Sequence, residues 1–166
     1  MEFAVDPPRR GGSTYRLRLG TGRIMPRPAP WRLDPAAYPH LDSIQTRFQD
    51  LDVLGHINNV AWAALFETGR VRFFRLLNGS SPGRNRGLVA NVEINYLAEG
   101  HFPGDIEIAS GIGQLGTRSW QALSLATQDG KPMATCDVTI VTVGDAIDPD
   151  FRAALEKWVV AGPAQS

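Results

Sequence analysis

The sequence predicts an α+β domain in which one long helix is wrapped by a curved antiparallel sheet of five strands. Three observations carry that prediction. One extended segment has helical periodicity, strand-like segments follow it with no second long helix among them, and nothing but a sheet is available to cover the helix's wide apolar face. The helix spans about 59–77. On a 3.6-residue wheel Trp62, Leu65, Phe66, Gly69, Phe73, Leu76 and Leu77 share one side, while Glu67, Thr68, Arg70, Arg72 and Arg75 lie opposite. Asn58 or Asn59 suits its N-cap, and Asn78-Gly79 is a normal stop.

A first strand is expected at 43–48, before the helix. After a loop rich in Ser, Pro, Gly and Arg the pattern turns to period two, with Val92, Ile94 and Tyr96 on one face and Asn91, Glu93 and Asn95 on the other. Three further strands are expected at 105–112, 119–127 and 133–143, the last two joined by the hairpin signal Asp129-Gly130. Asp148-Pro149 opens a terminal helix, 148–160.

With 166 residues the chain is expected to hold one domain, 38–166, behind an extension, 1–37. The extension's first 32 residues carry seven of the 17 basic residues against two of the 17 acidic ones, and five of the 12 prolines, so it is either laid over the domain or dangling from it. Only 15–19 alternates like a strand there. A composition of 43% hydrophobic and 20% charged residues with no net charge is that of an ordinary soluble protein, which argues against a nucleic-acid partner. Cys136, the single cysteine, excludes an internal disulfide framework. No apolar run approaches the roughly 18 residues that span a bilayer, and Met1 to Arg10 lacks a secretion signal, so no membrane partner and a cytoplasmic location are expected. His40, His56 and His101 stand at no metal-ligand spacing, and neither a metal nor a cofactor is expected.

Two motif matches lack their structural context. Gly111, Gly113 and Gly116 fit GxGxxG but lead into a strand, where dinucleotide binding needs a helix. The GxSxG match at 79–83 follows a helix, where a nucleophile elbow needs a strand.

The stretch that turn chemistry alone does not explain is Asp50-Leu51-Asp52-Val53-Leu54-Gly55-His56-Ile57-Asn58-Asn59. Two carboxylates, an imidazole and two amides precede a helix N-terminus, whose free N–H groups and positive dipole end stabilise a developing oxyanion. Acyl transfer is the chemistry this suits; an acidic turn with an Asn cap is the structural alternative.

Arg47 through Asn59, followed by Glu67 and Arg70, resembles the signature of the 4-hydroxybenzoyl-CoA thioesterase-like branch of hotdog-fold acyl thioesterases. The resemblance continues through Val92-Glu93-Ile94-Asn95-Tyr96 and Pro103-Gly104-Asp105, over about residues 42–143. It implies a homodimer or homotetramer with active sites at subunit interfaces, hydrolysing thioesters of coenzyme A or acyl carrier protein without metal. Asp52 matches the catalytic carboxylate. The His56-Ile57-Asn58-Asn59 run is closer to plant-type acyl-carrier-protein thioesterases, in which the Asn and His have catalytic parts.

Three roles therefore stand open. Asp52 attacks the carbonyl or activates a water, with N–H groups near Asn59 as the oxyanion site; or Asp52 orients His56 and Asn58; or Glu67 is the base, its alternative being an ordinary pair with Arg70. Arg84, Arg86 and Arg118 are candidates for the coenzyme A phosphates. A hotdog domain that binds an acyl thioester without cleaving it is the competing class.

Overall fold

The computed structural model describes residues 27–78 and 87–162. Strand β1 (His40–Ile44) leads through a short 3-10 turn (Phe48–Asp50) to helix α1 (Asn59–Asn78). Strands β2 (Gly87–Tyr96), β3 (Ile106–Leu115), β4 (Ser119–Gln128) and β5 (Lys131–Thr142) follow, then helix α2 (Pro149–Glu156). The five strands form one sheet in the order β1-β3-β4-β5-β2, with every neighbouring pair antiparallel. This is the expected α+β architecture, with the long helix against the sheet.

Trp62, Leu65, Phe66, Phe73 and Leu77 of α1 are buried against Ile106, Ile108, Ile112, Ala122 and Cys136 of the sheet. Phe73 is fully enclosed, so truncating it to alanine would cost roughly 3–5 kcal/mol. The apolar face departs from the wheel at its C-terminal end: Leu76 is 55% exposed, while Phe73 and Leu77 are buried and Phe74 packs partly against the core.

The other face of the sheet carries a smaller core. Ala37 and Tyr38 pack on Ala109, Leu123 and Leu125, with Trp31, Leu33 and Val160 against them. The extension is therefore laid over the sheet from Pro30 onward, through two 3-10 turns, Pro30–Leu33 and Pro35–Ala37. Arg32 fastens it. Its guanidinium is buried, makes two hydrogen bonds to the Asp137 carboxylate on β5 and donates from Nε to the Tyr38 hydroxyl at 2.8 Å. The strand expected at 15–19 and the GxSxG match at 79–83 lie outside the described residues.

Two element ends fall four residues short of expectation for local reasons. β1 ends at Ile44 rather than 48, since the Thr46 hydroxyl bonds the Gly104 carbonyl and Asp50 caps the next turn through the Arg47 N–H. α2 stops at Glu156 rather than 160 because Val160 N–H and Trp158 carbonyl pair with Ile112, beyond the reach of β1. The Asp129-Gly130 hairpin is as expected, both residues having positive φ, while β2 is an edge strand exposed on both faces over most of its length. Among the described residues no helix is long and apolar enough to cross a membrane.

Candidate functional site

Between the Phe48–Asp50 turn and α1 the backbone makes a tight loop that is closed by its own polar groups. Asp52 N–H donates to the His56 carbonyl at 2.9 Å, and Asp52 Oδ1 accepts from the N–H of Leu54 (2.8 Å) and His56 (3.2 Å). Gly55 turns the chain at φ 82°, a conformation that favours glycine. The N–H donors, that of His56 foremost, hold the exposed Asp52 carboxyl below the ordinary carboxylate range. It is ionised at neutral pH.

Asn58 is the N-cap of α1. Its Oδ1 accepts from Ala61 N–H at 2.8 Å, and its Nδ2 donates to the Asp50 carbonyl at 2.8 Å. Both ends of the amide are thus spent on the fold. The Ala61 and Trp62 N–H groups are taken by Asn58, whereas those of Asn59 and Val60 have no hydrogen bond to the described residues. Those two are the donors a ligand at the helix terminus would meet.

A second segment closes on this loop. Ile57 N–H donates to the Gly100 carbonyl at 2.8 Å, which brings the chain following β2 against the helix N-terminus. Contact is so close that a Cβ on Gly100 would stand 2.7 Å from Trp62 and 2.9 Å from Ile57. The result is an open cavity of about 540 Å³ whose walls include Asp52, His56, Asn59, Trp62, Tyr96 and Glu99. A second recess of about 590 Å³, walled by Gln114, Leu115, Ser119, Trp120 and Thr139, has no titratable group in its lining.

The single chain gathers Asp52, His56 and Asn59 on one cavity, while Asn58, beside Asn59 in the chain, caps the helix. Glu67 is elsewhere. It lies eight residues along α1 from Asn59, about 12 Å by helical rise, and pairs with Arg70 at 3.4 Å. Arg118 sits in the β3–β4 turn, its carbonyl accepting from Thr142 N–H; the whole length of β4 separates it from the cavity end of the sheet. Arg84 and Arg86 lie outside the described residues.

Sequence spacing gave no sign of Glu99 and His101. His56 Nε2 is 3.2 Å from Glu99 Oε2, the His56 and His101 rings are edge to face at 5.2 Å, and one ligand atom from each of the three lies within 4.8 Å of the others. Spacing along the chain, the ground for expecting no metal, does not register this cluster: His56 and His101, 45 positions apart, meet through the Ile57–Gly100 hydrogen bond. Only the glycine between Glu99 and His101 hinted at a close approach.

Comparison with known proteins bears on the family and the fold. No curated protein matches the chain significantly. Among solved structures, the PA5185 protein of Pseudomonas aeruginosa PAO1 is 28% identical, with 76% of this chain and 96% of that one covered and a TM-score of 0.65. A protein of Bacillus stearothermophilus described as a predicted thioesterase is 25% identical over 74% of this chain and 98% of its own, with a TM-score of 0.67. A thioesterase from Thermus thermophilus, solved with coenzyme A and zinc, shares the fold at 23% identity, covering 73% and 94%, with a TM-score of 0.67. The sheet curled on one long helix is the hotdog fold of these proteins. The profile of the thioesterase-like superfamily matches residues 46–159, more than half of the chain, and the chain belongs to that superfamily.

Proposed function

We propose that the chain is an acyl-CoA thioesterase of the 4-hydroxybenzoyl-CoA thioesterase-like branch, hydrolysing a thioester to a carboxylic acid and a free thiol. The observation that carries this reading is the cavity at the α1 N-terminus, lined by an ionised carboxylate, Asp52, and by Asn59, whose N–H, like that of the adjoining Val60, makes no hydrogen bond to the described residues. A thioester carbonyl seated at the helix terminus would have its oxygen on those N–H groups. The Asp52 carboxylate takes a proton from a water as the water oxygen bonds to the carbonyl carbon. Collapse of the oxyanion breaks the C–S bond, and the proton on Asp52 returns to the thiolate.

His56 and Asn58 serve this arrangement as positioning groups, Asn58 through the helix cap and His56 through its backbone hold on Asp52. Coenzyme A is favoured over acyl carrier protein because it is the ligand of the Thermus neighbour. Along the exposed edge β2, Leu88 is 67% and Val92 48% exposed, which supports assembly as a homodimer or dimer of dimers by edge-to-edge pairing. On this reading Arg84, Arg86 and Arg118 are candidates for the coenzyme A phosphates, and Arg118, with the length of β4 between it and the cavity of its own chain, would reach one across a subunit boundary. The free, buried Cys136 suits a cytoplasmic location.

Acyl-CoA hydrolysis followed by thiol release tests the assignment. Asp52→Asn keeps an oxygen for the Leu54 and His56 N–H groups but removes the charge and proton affinity, so kcat is expected to fall roughly 10²–10⁴-fold with the melting temperature held. A larger loss in Glu67→Gln, with both variants folded, would move the catalytic carboxylate to α1. The engagement of Asp52 Oδ1 in the turn favours one second reading, a non-catalytic acyl-CoA-binding or sensing protein. Binding of acyl-CoA without turnover would select it.

A further inference from the structure

We propose that His56, Glu99 and His101 form a binding site for a divalent transition-metal ion of the zinc class at the rim of the cavity. Two imidazoles and one carboxylate are the donor set that borderline metals take and that magnesium and calcium, which need oxygen ligands, do not. The three ligand atoms already lie within 4.8 Å of one another, and the closest pair, His56 Nε2 and Glu99 Oε2, is at 3.2 Å. A tetrahedral ion with bonds of about 2.0–2.1 Å holds its ligand atoms about 3.3 Å apart. One edge of the site therefore has that length now, and side-chain rotation of the exposed Glu99 and His101 closes the others.

A histidine–glutamate hydrogen bond would account for His56 and Glu99 alone. His101 is the residue it leaves unexplained, and the backbone around His101 is fixed. His101 N–H donates to Gln128 Oε1 at 2.9 Å, and Gln128 Nε2 donates back to the His101 carbonyl at 2.7 Å, while Gln128 is itself 5% exposed. On the other side the Ile57–Gly100 hydrogen bond and the Trp62 contact at Gly100 lock the same segment to the helix N-terminus. His56 is held by its two backbone hydrogen bonds to Asp52. All three ligands thus project from backbone whose position is set before any ion arrives, which lowers the ordering cost of binding.

Three protein ligands leave one tetrahedral position open, and the site borders the cavity that Asp52 lines. Water would fill that position, or a soft donor such as a thiolate. Binding of the ion stands apart from thioester hydrolysis: it can succeed in a protein that cleaves nothing and fail in one that does.

The experiment is isothermal titration of the full chain, free of any polyhistidine tag, with zinc chloride, alongside the visible spectrum on adding cobalt(II). One ion per chain and an intense cobalt band of tetrahedral type are expected. Loss of an outer-shell partner alone costs roughly 10–100-fold in metal affinity, so His101→Ala and Glu99→Gln should each weaken binding at least about 10-fold. Both residues are exposed, and circular dichroism should show both variants folded. Gly100→Ala, which forces the segment off Trp62 without removing a ligand, should weaken binding as well. Absence of binding, or binding that His101→Ala leaves intact, would overturn the proposal.

Discussion

Asn58→Ala separates what holds the site together from what works on the substrate. Alanine removes the cap on Ala61 N–H and the Nδ2 hydrogen bond to the Asp50 carbonyl. The first is worth about 1 kcal/mol and the second about 0.5–1.5 kcal/mol. That carbonyl still accepts from the Asn58 backbone N–H at 2.9 Å, so no acceptor is stranded, and the total is about 2 kcal/mol. For a chain of this size the melting temperature should fall roughly 4–8 °C, with the urea slope unchanged. Asn58→Asp keeps Oδ1 for Ala61 and places a negative charge at the positive end of the helix, so it should recover at least half of that loss. Thermal and urea unfolding read both variants, with thiol release measured on each per folded molecule. A kcat reduced roughly 100-fold or more in Asn58→Ala at an unchanged melting temperature would refute the cap argument and put the amide on the substrate. Equal destabilisation by both substitutions would refute it too.

Arg32→Ala strips Asp137 and Tyr38 of their buried partner; since Asp137 keeps 34% side-chain exposure, the loss should sit near the low end for a broken buried pair, roughly 3 kcal/mol, and the Arg32→Ala/Asp137→Ala double variant should lose less than the sum by urea unfolding. Burial pushes the Asp50 carboxyl up, but hydrogen bonds and charge from Arg47 outweigh it and leave the group below the ordinary carboxylate range. A depressed folded value stabilises above the unfolded value, about 4, and that stability drains away as pH falls through the folded one, so melting followed between about pH 6 and pH 3 should drop less steeply in Asp50→Asn. Burial pushes the Cys136 thiol up to about 12, so a thiol reagent at pH about 8 should leave it untouched until the chain is unfolded, and a thiol-release assay should carry no background from the folded protein.

How much was legible depended on whether the cause lay along the chain or across it. Helix α1 announced itself because its apolar positions recur every three or four residues, and its cap was readable because Asn58 acts on a residue three positions away. The Asp129-Gly130 hairpin is equally local. The end of α2 is not: Trp158 and Val160 leave the helix to satisfy Ile112, whose free backbone groups exist only because β1 is too short to reach them. For the same reason the cavity was half visible. Asp52, His56 and Asn59 are neighbours in sequence, whereas Tyr96 and Glu99 arrive from the end of an edge strand whose place in the sheet no local pattern encodes.

That edge strand would tie the proposed assembly to the site. Tyr96 closes β2 and also lines the cavity, and it is 47% exposed. On the proposed edge pairing a second β2 would bury residues such as Leu88 and Val92 and bring new wall to an open recess. A thioester hydrolysed in bulk-like water gains little from two N–H groups, because water competes for the oxyanion; the same groups gain as the local dielectric falls. Enclosure by a second subunit would therefore act on the chemistry through desolvation of the Asn59 and Val60 donors, without contributing a catalytic side chain.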